Sequence, residues 1–121
     1  VKVRADIWTI LELHAEHADM VRSSKHAAAI VYKGVIIALG RNQYKTHPIM
    51  LKYGKNDKAI YLHAELDAIV RTINKYGPEI LTKCDMYVLR SDKMNRISSS
   101  KPCEGCQGAI EAFGLREVFH T

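Results

Sequence analysis

The 121-residue chain is poor in cysteine and has no long hydrophobic run. Its three cysteines cannot all pair, and two of them, Cys103 and Cys106, form a C-x-x-C behind Pro102. That argues against a secreted disulfide framework and for metal binding in a reducing, cytoplasmic compartment. No stretch approaches the ~20 apolar residues of a membrane helix, and the N-terminal residues lack a signal peptide's apolar region, so no membrane partner is expected. Aromatic residues are also scarce, at 7%. None falls in the basic stretch 90–101, which therefore offers no platform on which bases could stack. Repeats, low-complexity tracts and linkers are missing too, so residues 1–121 read as one domain, long enough to bury a core without disulfides. The net charge of +5 suits anionic partners such as a nucleotide phosphate or a nucleic acid. A solvated basic surface would account for it as well.

The apolar pattern alternates between helical and strand periods. Ile7, Ile10, Leu11, His14/Ala15, Ala18 and Val21 recur at helical spacing over residues 5–22. The apolar runs 27–32 and 35–39 flank Lys33-Gly34 and read as a buried β-hairpin. Residues 41–59 are polar, with turn signals at His47-Pro48, Gly54 and Asn56-Asp57, and read as a long loop of the functional kind. A second helix spans 63–76 and stops at Gly77-Pro78. Residues 85–90 read as a strand, 91–101 as a polar basic loop, 102–113 as a helix opened by Pro102, and 116–120 as a last strand. The order α-β-β-α-β-α-β implies a mixed sheet with helices packed on it.

Chemistry concentrates in two helix starts, His63-Ala64-Glu65 and Pro102-Cys103-Glu104-Gly105-Cys106. One imidazole and two thiolates can hold a Zn2+ ion and leave its fourth position open to water. Bound zinc lowers the pKa of that water from about 16 toward about 7, and Glu65, two residues from the first ligand, is placed to move its proton. Taken singly, the C-x-x-C could be a redox pair or two buried thiols, and His63 an ordinary helix-start residue. Jointly, those readings are hard to sustain. Helix N-termini favour thiolate over thiol, which suits both cysteines as ligands. A second His-Ala-Glu, at His14-Ala15-Glu16, lies inside the first amphipathic helix and reads as ordinary helix sequence.

The H-x-E…P-C-x-x-C pattern resembles that of the cytidine deaminase superfamily. The likeness runs through nearly the whole chain, and the wording His63-Ala-Glu-Leu-Asp-Ala-Ile69 is nearest the deoxycytidylate deaminase-like branch. The resemblance implies an α/β fold, a three-layer α/β/α sandwich around a mixed sheet. It implies metal ligands at His63, Cys103 and Cys106, a proton-transferring Glu65, and a backbone N–H at Ala64 that donates to the base carbonyl. Gly40-Arg41-Asn42 matches the family's G-x-N, which implies that Asn42 holds the sugar hydroxyl. The chain departs from the family at Arg41 and Gln43, where G-Y-N-G is usual, and at Asp67, where the branch has Asn. Its loop before Pro102 is longer, and the usual last helix and fifth strand are expected to be absent or truncated.

Three functions follow as expectations. The first is hydrolytic deamination of a cytosine nucleotide, dCMP to dUMP, with release of ammonia, by a homo-oligomer as the resemblance implies. The second is deamination of polymeric nucleic acid, tRNA adenosine or single-stranded DNA cytosine, for which the basic loop 90–101 speaks. The third is a closed structural zinc module, which would need His120 or Cys84 as fourth ligand. Arg41, Lys45, His47 and Lys52 in the first loop and Arg90, Lys93, Arg96 and Lys101 in the second are the candidates to grip a phosphate.

Overall fold

A computed structural model describes residues 2–19, 24–43, 48–53, 62–94, 96–100 and 104–121. The elements are α1 (Lys2–Glu16), β1 (Ser24–Tyr32), β2 (Val35–Arg41), α2 (Pro48–Tyr53), α3 (Ala64–Tyr76), a 3-10 turn (Glu79–Lys83), β3 (Cys84–Asp92), β4 (Ile97–Ser98), α4 (Glu104–Phe113) and β5 (Val118–His120).

Strand β1 is the hub of a mixed sheet. It pairs antiparallel with β2 on one side and with β3 on the other. The opposite edge of β3 is shared: β4 pairs antiparallel with Arg90 and Ser91, and β5 pairs parallel with Met86–Val88. The β1–β2 hairpin turns at Lys33 (φ 49°) and Gly34 (φ 80°). Two positive φ values in succession match the right-handed twist of the flanking strands.

Strand parity sorts the side chains into two cores. Ala28 and Ile30 of β1, with Cys84, Met86 and Val88 of β3, face α3 and α4 and meet Leu66, Ile69, Ala109 and Ile110. Ala27, Ala29 and Val31, with Tyr87 and Leu89, face α1 and meet Ile7, Leu11 and Ala15. Helices thus cover both faces of the sheet, the α/β/α arrangement that the resemblance implies. Tyr87 stacks on Phe119 at 4.8 Å between ring centroids and meets Trp8 edge-on at 5.4 Å, closing the α1 layer.

β1, β3 and β5 differ from the expected strands by a few residues at their ends, and other departures from the sequence reading have local reasons. Helix α1 ends at Glu16 rather than at residue 22, because His17 and Ala18 bond back three residues, to His14 and Ala15, and Asp19 N–H donates to the Asn42 carbonyl. Ala18 stays buried, so the apolar pattern outlasts the helix. The loop 41–59 contains α2, opened by Pro48 at a position where its missing N–H is no loss. The loop 91–101 contains β4, because the Asp92 carboxylate accepts N–H bonds from Met94 (2.8 Å) and Arg96 (3.0 Å) and reverses the chain. The hairpin is buried only along β1; β2 is a half-buried edge strand that starts at exposed Val35. The Pro102 start of the last helix and Val21 lie outside the described residues.

Candidate active site

Helix α3 is amphipathic, and it buries Ala64, Leu66, Ala68 and Ile69 against the sheet. Its N-cap is His63, in extended conformation, and its first turn carries Glu65 and Asp67, where carboxylates meet the positive end of the helix dipole. Gly77, at φ 85°, ends the helix and donates its N–H to the Ile73 carbonyl at 2.9 Å.

His63 and Cys106 meet: Nδ1 of the ring lies 3.2 Å from the Cys106 Sγ, across 43 residues of chain. Cys106 sits in the first turn of α4 and is buried, as is Glu65 at 5% exposure. Cys103 lies outside the described residues, and among the described residues no set of three His, Cys, Asp or Glu side chains converges on one point. The donor pair fits zinc. With Zn–N near 2.0 Å and Zn–S near 2.3 Å, the N···S edge of a tetrahedral site spans about 3.5 Å, close to the separation here. One imidazole nitrogen and one thiol at the N-terminus of a helix are also the donor types this ion selects.

Asn42 is buried behind His63, with both ends of its carboxamide engaged. Oδ1 accepts the Ala64 backbone N–H at 3.0 Å, and Nδ2 lies 2.9 Å from His26 Nδ1. The backbone is tied as well, Asn42 N–H donating to the His26 carbonyl at 3.2 Å. The Ala64 N–H, expected to serve a base carbonyl, is therefore already held by Asn42.

Asp67 clamps the residues on either side of Asn42. Its Oδ2 accepts the Arg41 backbone N–H at 3.0 Å and Gln43 Nε2 at 2.9 Å, and Arg71 Nε approaches Oδ1 at 3.1 Å. The departures at Gln43 and Asp67 are thus one structural unit: a carboxylate on α3 that takes the Gln43 side-chain amide.

Two of the basic residues named for the loops, Arg90 and Arg96, are committed elsewhere. Arg90 donates to Ser24 Oγ at 2.9 Å, and Arg96 pairs with Asp92 at 3.0 Å. Lys52 and Lys93 are exposed; Lys45, His47 and Lys101 lie outside the described residues. Arg41 lines a groove of about 600 Å³ with His14, Arg71, Asn74 and Lys75. His14 belongs to that groove, beside β2, and Ala15 of the same His-Ala-Glu packs into the α1 core. Burial, reinforced by Arg41 and Arg71, holds the His14 pKa below its ordinary value. Cys84 is a buried thiol that donates to the Ile80 carbonyl at 3.2 Å, its pKa raised by burial. His120 is exposed, with Nδ1 3.1 Å from the Thr121 carbonyl oxygen.

Two residues with defined hydrogen-bond roles escape sequence reading. Ser100, three positions before Cys103, is buried; its hydroxyl donates to the Val88 carbonyl at 2.8 Å and accepts Thr121 N–H at 2.9 Å. His26 precedes the apolar run of β1, and strand parity with Ala28 and Ile30 puts it on the α3 face. That parity is the one signal by which it could have been found.

A mixed sheet thus lies between helical layers, with an imidazole, a thiol and a buried carboxylate at two helix starts. The family is that of the cytidine and deoxycytidylate deaminase zinc-binding region, which matches residues 4–121, and the chain belongs to it. Among solved structures, dCMP deaminase from the cyanophage S-TIM5, in complex with dCMP and dUMP, is similar at 20% identity and a TM-score of 0.67, covering 97% of this chain and 79% of that one. Cytidine deaminase from Mycobacterium tuberculosis is similar at 17% identity and a TM-score of 0.55, covering 92% and 80%. Guanine deaminase from Bacillus subtilis shares 30% identity at a TM-score of 0.50, over 78% of this chain and 47% of that one. No curated protein sequence matches the chain significantly.

Proposed function

We propose that this chain is a zinc-dependent hydrolase that converts dCMP to dUMP and ammonia. The observation that carries the reading is the meeting of His63 Nδ1 and Cys106 Sγ beside buried Glu65. His63, Cys103 and Cys106 would hold the ion, which when bound supplies an acidified water. Glu65 takes a proton from the attacking water and delivers it to the ring nitrogen next to the amine-bearing carbon. It then takes the second proton from the newly attached hydroxyl and gives it to the amine, which leaves as ammonia; the carbon exchanges a C–N bond for a C–O bond, and one carboxylate serves as base and acid in turn.

Asn42 keeps one Nδ2 N–H and one Oδ1 lone pair beyond the bonds to His26 and Ala64, enough to meet a sugar hydroxyl. A base carbonyl seated at Ala64 would share its N–H with Asn42 Oδ1 or displace it. The S-TIM5 enzyme's complex with dCMP and dUMP supports the choice of nucleotide. A cytoplasmic homo-oligomer is part of the same reading, and sedimentation of the purified protein measures its assembly.

The test is ammonia release by the zinc-loaded protein, with Glu65→Ala as control. The panel holds deoxycytidine, dCMP, dCTP, CMP, guanine, adenosine, single-stranded DNA and tRNA. Turnover of dCMP that vanishes in the variant is the expected result. Turnover of a polymer alone would overturn the nucleotide reading in favour of nucleic acid. Retained zinc with no turnover of any substrate would leave a structural zinc module.

A further inference from the structure

The Ala64 backbone N–H can only donate, so the atom of Asn42 that faces it must be the carboxamide oxygen. That fixes the other end: Nδ2, which can only donate, faces His26 Nδ1 at 2.9 Å. His26 Nδ1 must then accept, and the neutral ring carries its proton on Nε2. One backbone N–H at the start of α3 thus dictates the tautomer of a histidine on β1. The two residues are joined twice, since Asn42 N–H also donates to the His26 carbonyl at 3.2 Å. The chain of contacts runs from His26 through Asn42 and Ala64 to His63, which meets Cys106. Every member lies on the α3 side of the sheet.

We propose that His26 is a positioning residue of the substrate site, holding the Asn42 carboxamide so that its remaining N–H and lone pair point to a bound nucleotide. An Asn side chain rotates about its last bond at little cost unless both ends are held. Ala64 holds one end of this amide and His26 the other. The substrate half of the inference rests on the deaminase reading; the hydrogen-bond half does not.

Two measurements test the halves separately. Long-range 1H–15N correlation spectra of the uniformly 15N-labelled protein, recorded above the titration of its imidazoles, report the tautomer of each ring. His26→Leu identifies the His26 signals. A bare Nδ1 and protonated Nε2 are expected; a proton on Nδ1 would overturn the proposal with no substrate present. In steady-state kinetics on dCMP, His26→Leu is expected to raise KM by about 3- to 10-fold, the worth of one neutral hydrogen bond, with kcat changed less than about 3-fold. His26→Asn is expected to restore KM, because its Oδ1 stands where Nδ1 stood and still accepts. An unchanged KM in His26→Leu, or an equal rise in both variants, would overturn the positioning role. If the wild-type protein turns over no cytosine nucleotide, the proposed reaction falls and the substrate role of His26 falls with it, whereas the tautomer still decides the hydrogen bond.

Discussion

Gly40 of β2 and Ala64 of α3 approach so closely that a Cβ on Gly40 would overlap the Ala64 carbonyl oxygen and the Ala68 nitrogen, and would come within 2.9 Å of the Ala68 Cα. All three atoms belong to backbone, which cannot swing aside as a side chain can. Gly40→Ala is therefore expected to cost at least the 1–3 kcal/mol typical of overpacking, about 3 kcal/mol here. Urea unfolding checks it: the midpoint should fall with little change in slope. Because the displaced atoms include Ala64, between His63 and Glu65, activity should fall more steeply than stability.

Asp67 and Arg71 are unequal partners. The Arg71 side chain is 53% exposed and that of Asp67 5%. Arg71→Ala should cost less than about 1 kcal/mol, as exposed ion pairs do. Asp67→Ala should cost about 1–3 kcal/mol, because the Arg41 N–H and the Gln43 amide both lose their acceptor. Chemical denaturation of the two variants tests the ranking, and equal losses would contradict it.

Ser100 bridges the Val88 carbonyl and the Thr121 N–H. Thr121 N–H also reaches the Val88 carbonyl directly, at 3.1 Å, so Ser100→Ala leaves both groups paired and should cost no more than about 1 kcal/mol. Hydrogen exchange at Thr121 should quicken in the variant.

His14 has a pKa below the ordinary imidazole value, first because it is partly buried and then because Arg41 and Arg71 face it. The unfolded chain therefore binds this proton more readily than the folded one. The stability tied to His14 is complete above about pH 6.5 and declines as pH falls from there through the folded pKa. An NMR titration should find the His14 midpoint below 6.5, and His14→Gln should flatten the acid limb of the stability profile.

Removal of zinc by a chelator should abolish ammonia release and lower the thermal midpoint, and both should return on adding zinc back. His63→Ala and Cys106→Ala should each lower zinc content measured by mass spectrometry. Glu65→Ala should leave zinc bound while ending turnover, which separates the ligands from the proton carrier.

Much of this fold is legible from short-range pattern. The apolar runs around Lys33-Gly34 give the hairpin because two positive φ values suit that dipeptide. His63 and Cys106 are legible as partners because their motifs restrict them chemically. What is not legible depends on partners distant in sequence. Helix α1 stops where Asp19 bonds to the Asn42 carbonyl, a residue the apolar period knows nothing of. Strand β4 exists because of one carboxylate, Asp92, and two residues are too few to show a period. Asn42 is readable as a candidate site residue, but its grip on Ala64 and His26 needs three elements in place at once. The same holds for Asp67, whose neighbours Arg41 and Gln43 lie 26 and 24 residues away.

The sheet also works as a partition. His63, Glu65 and Cys106 belong to the α3–α4 side, while α1 packs on the reverse side and turns Ile10 and Leu13 outward to solvent. A dye or surface tether placed at Leu13 would be screened from the candidate site by a full layer of strands. The protein thus offers one side for handling and keeps the candidate site on the other.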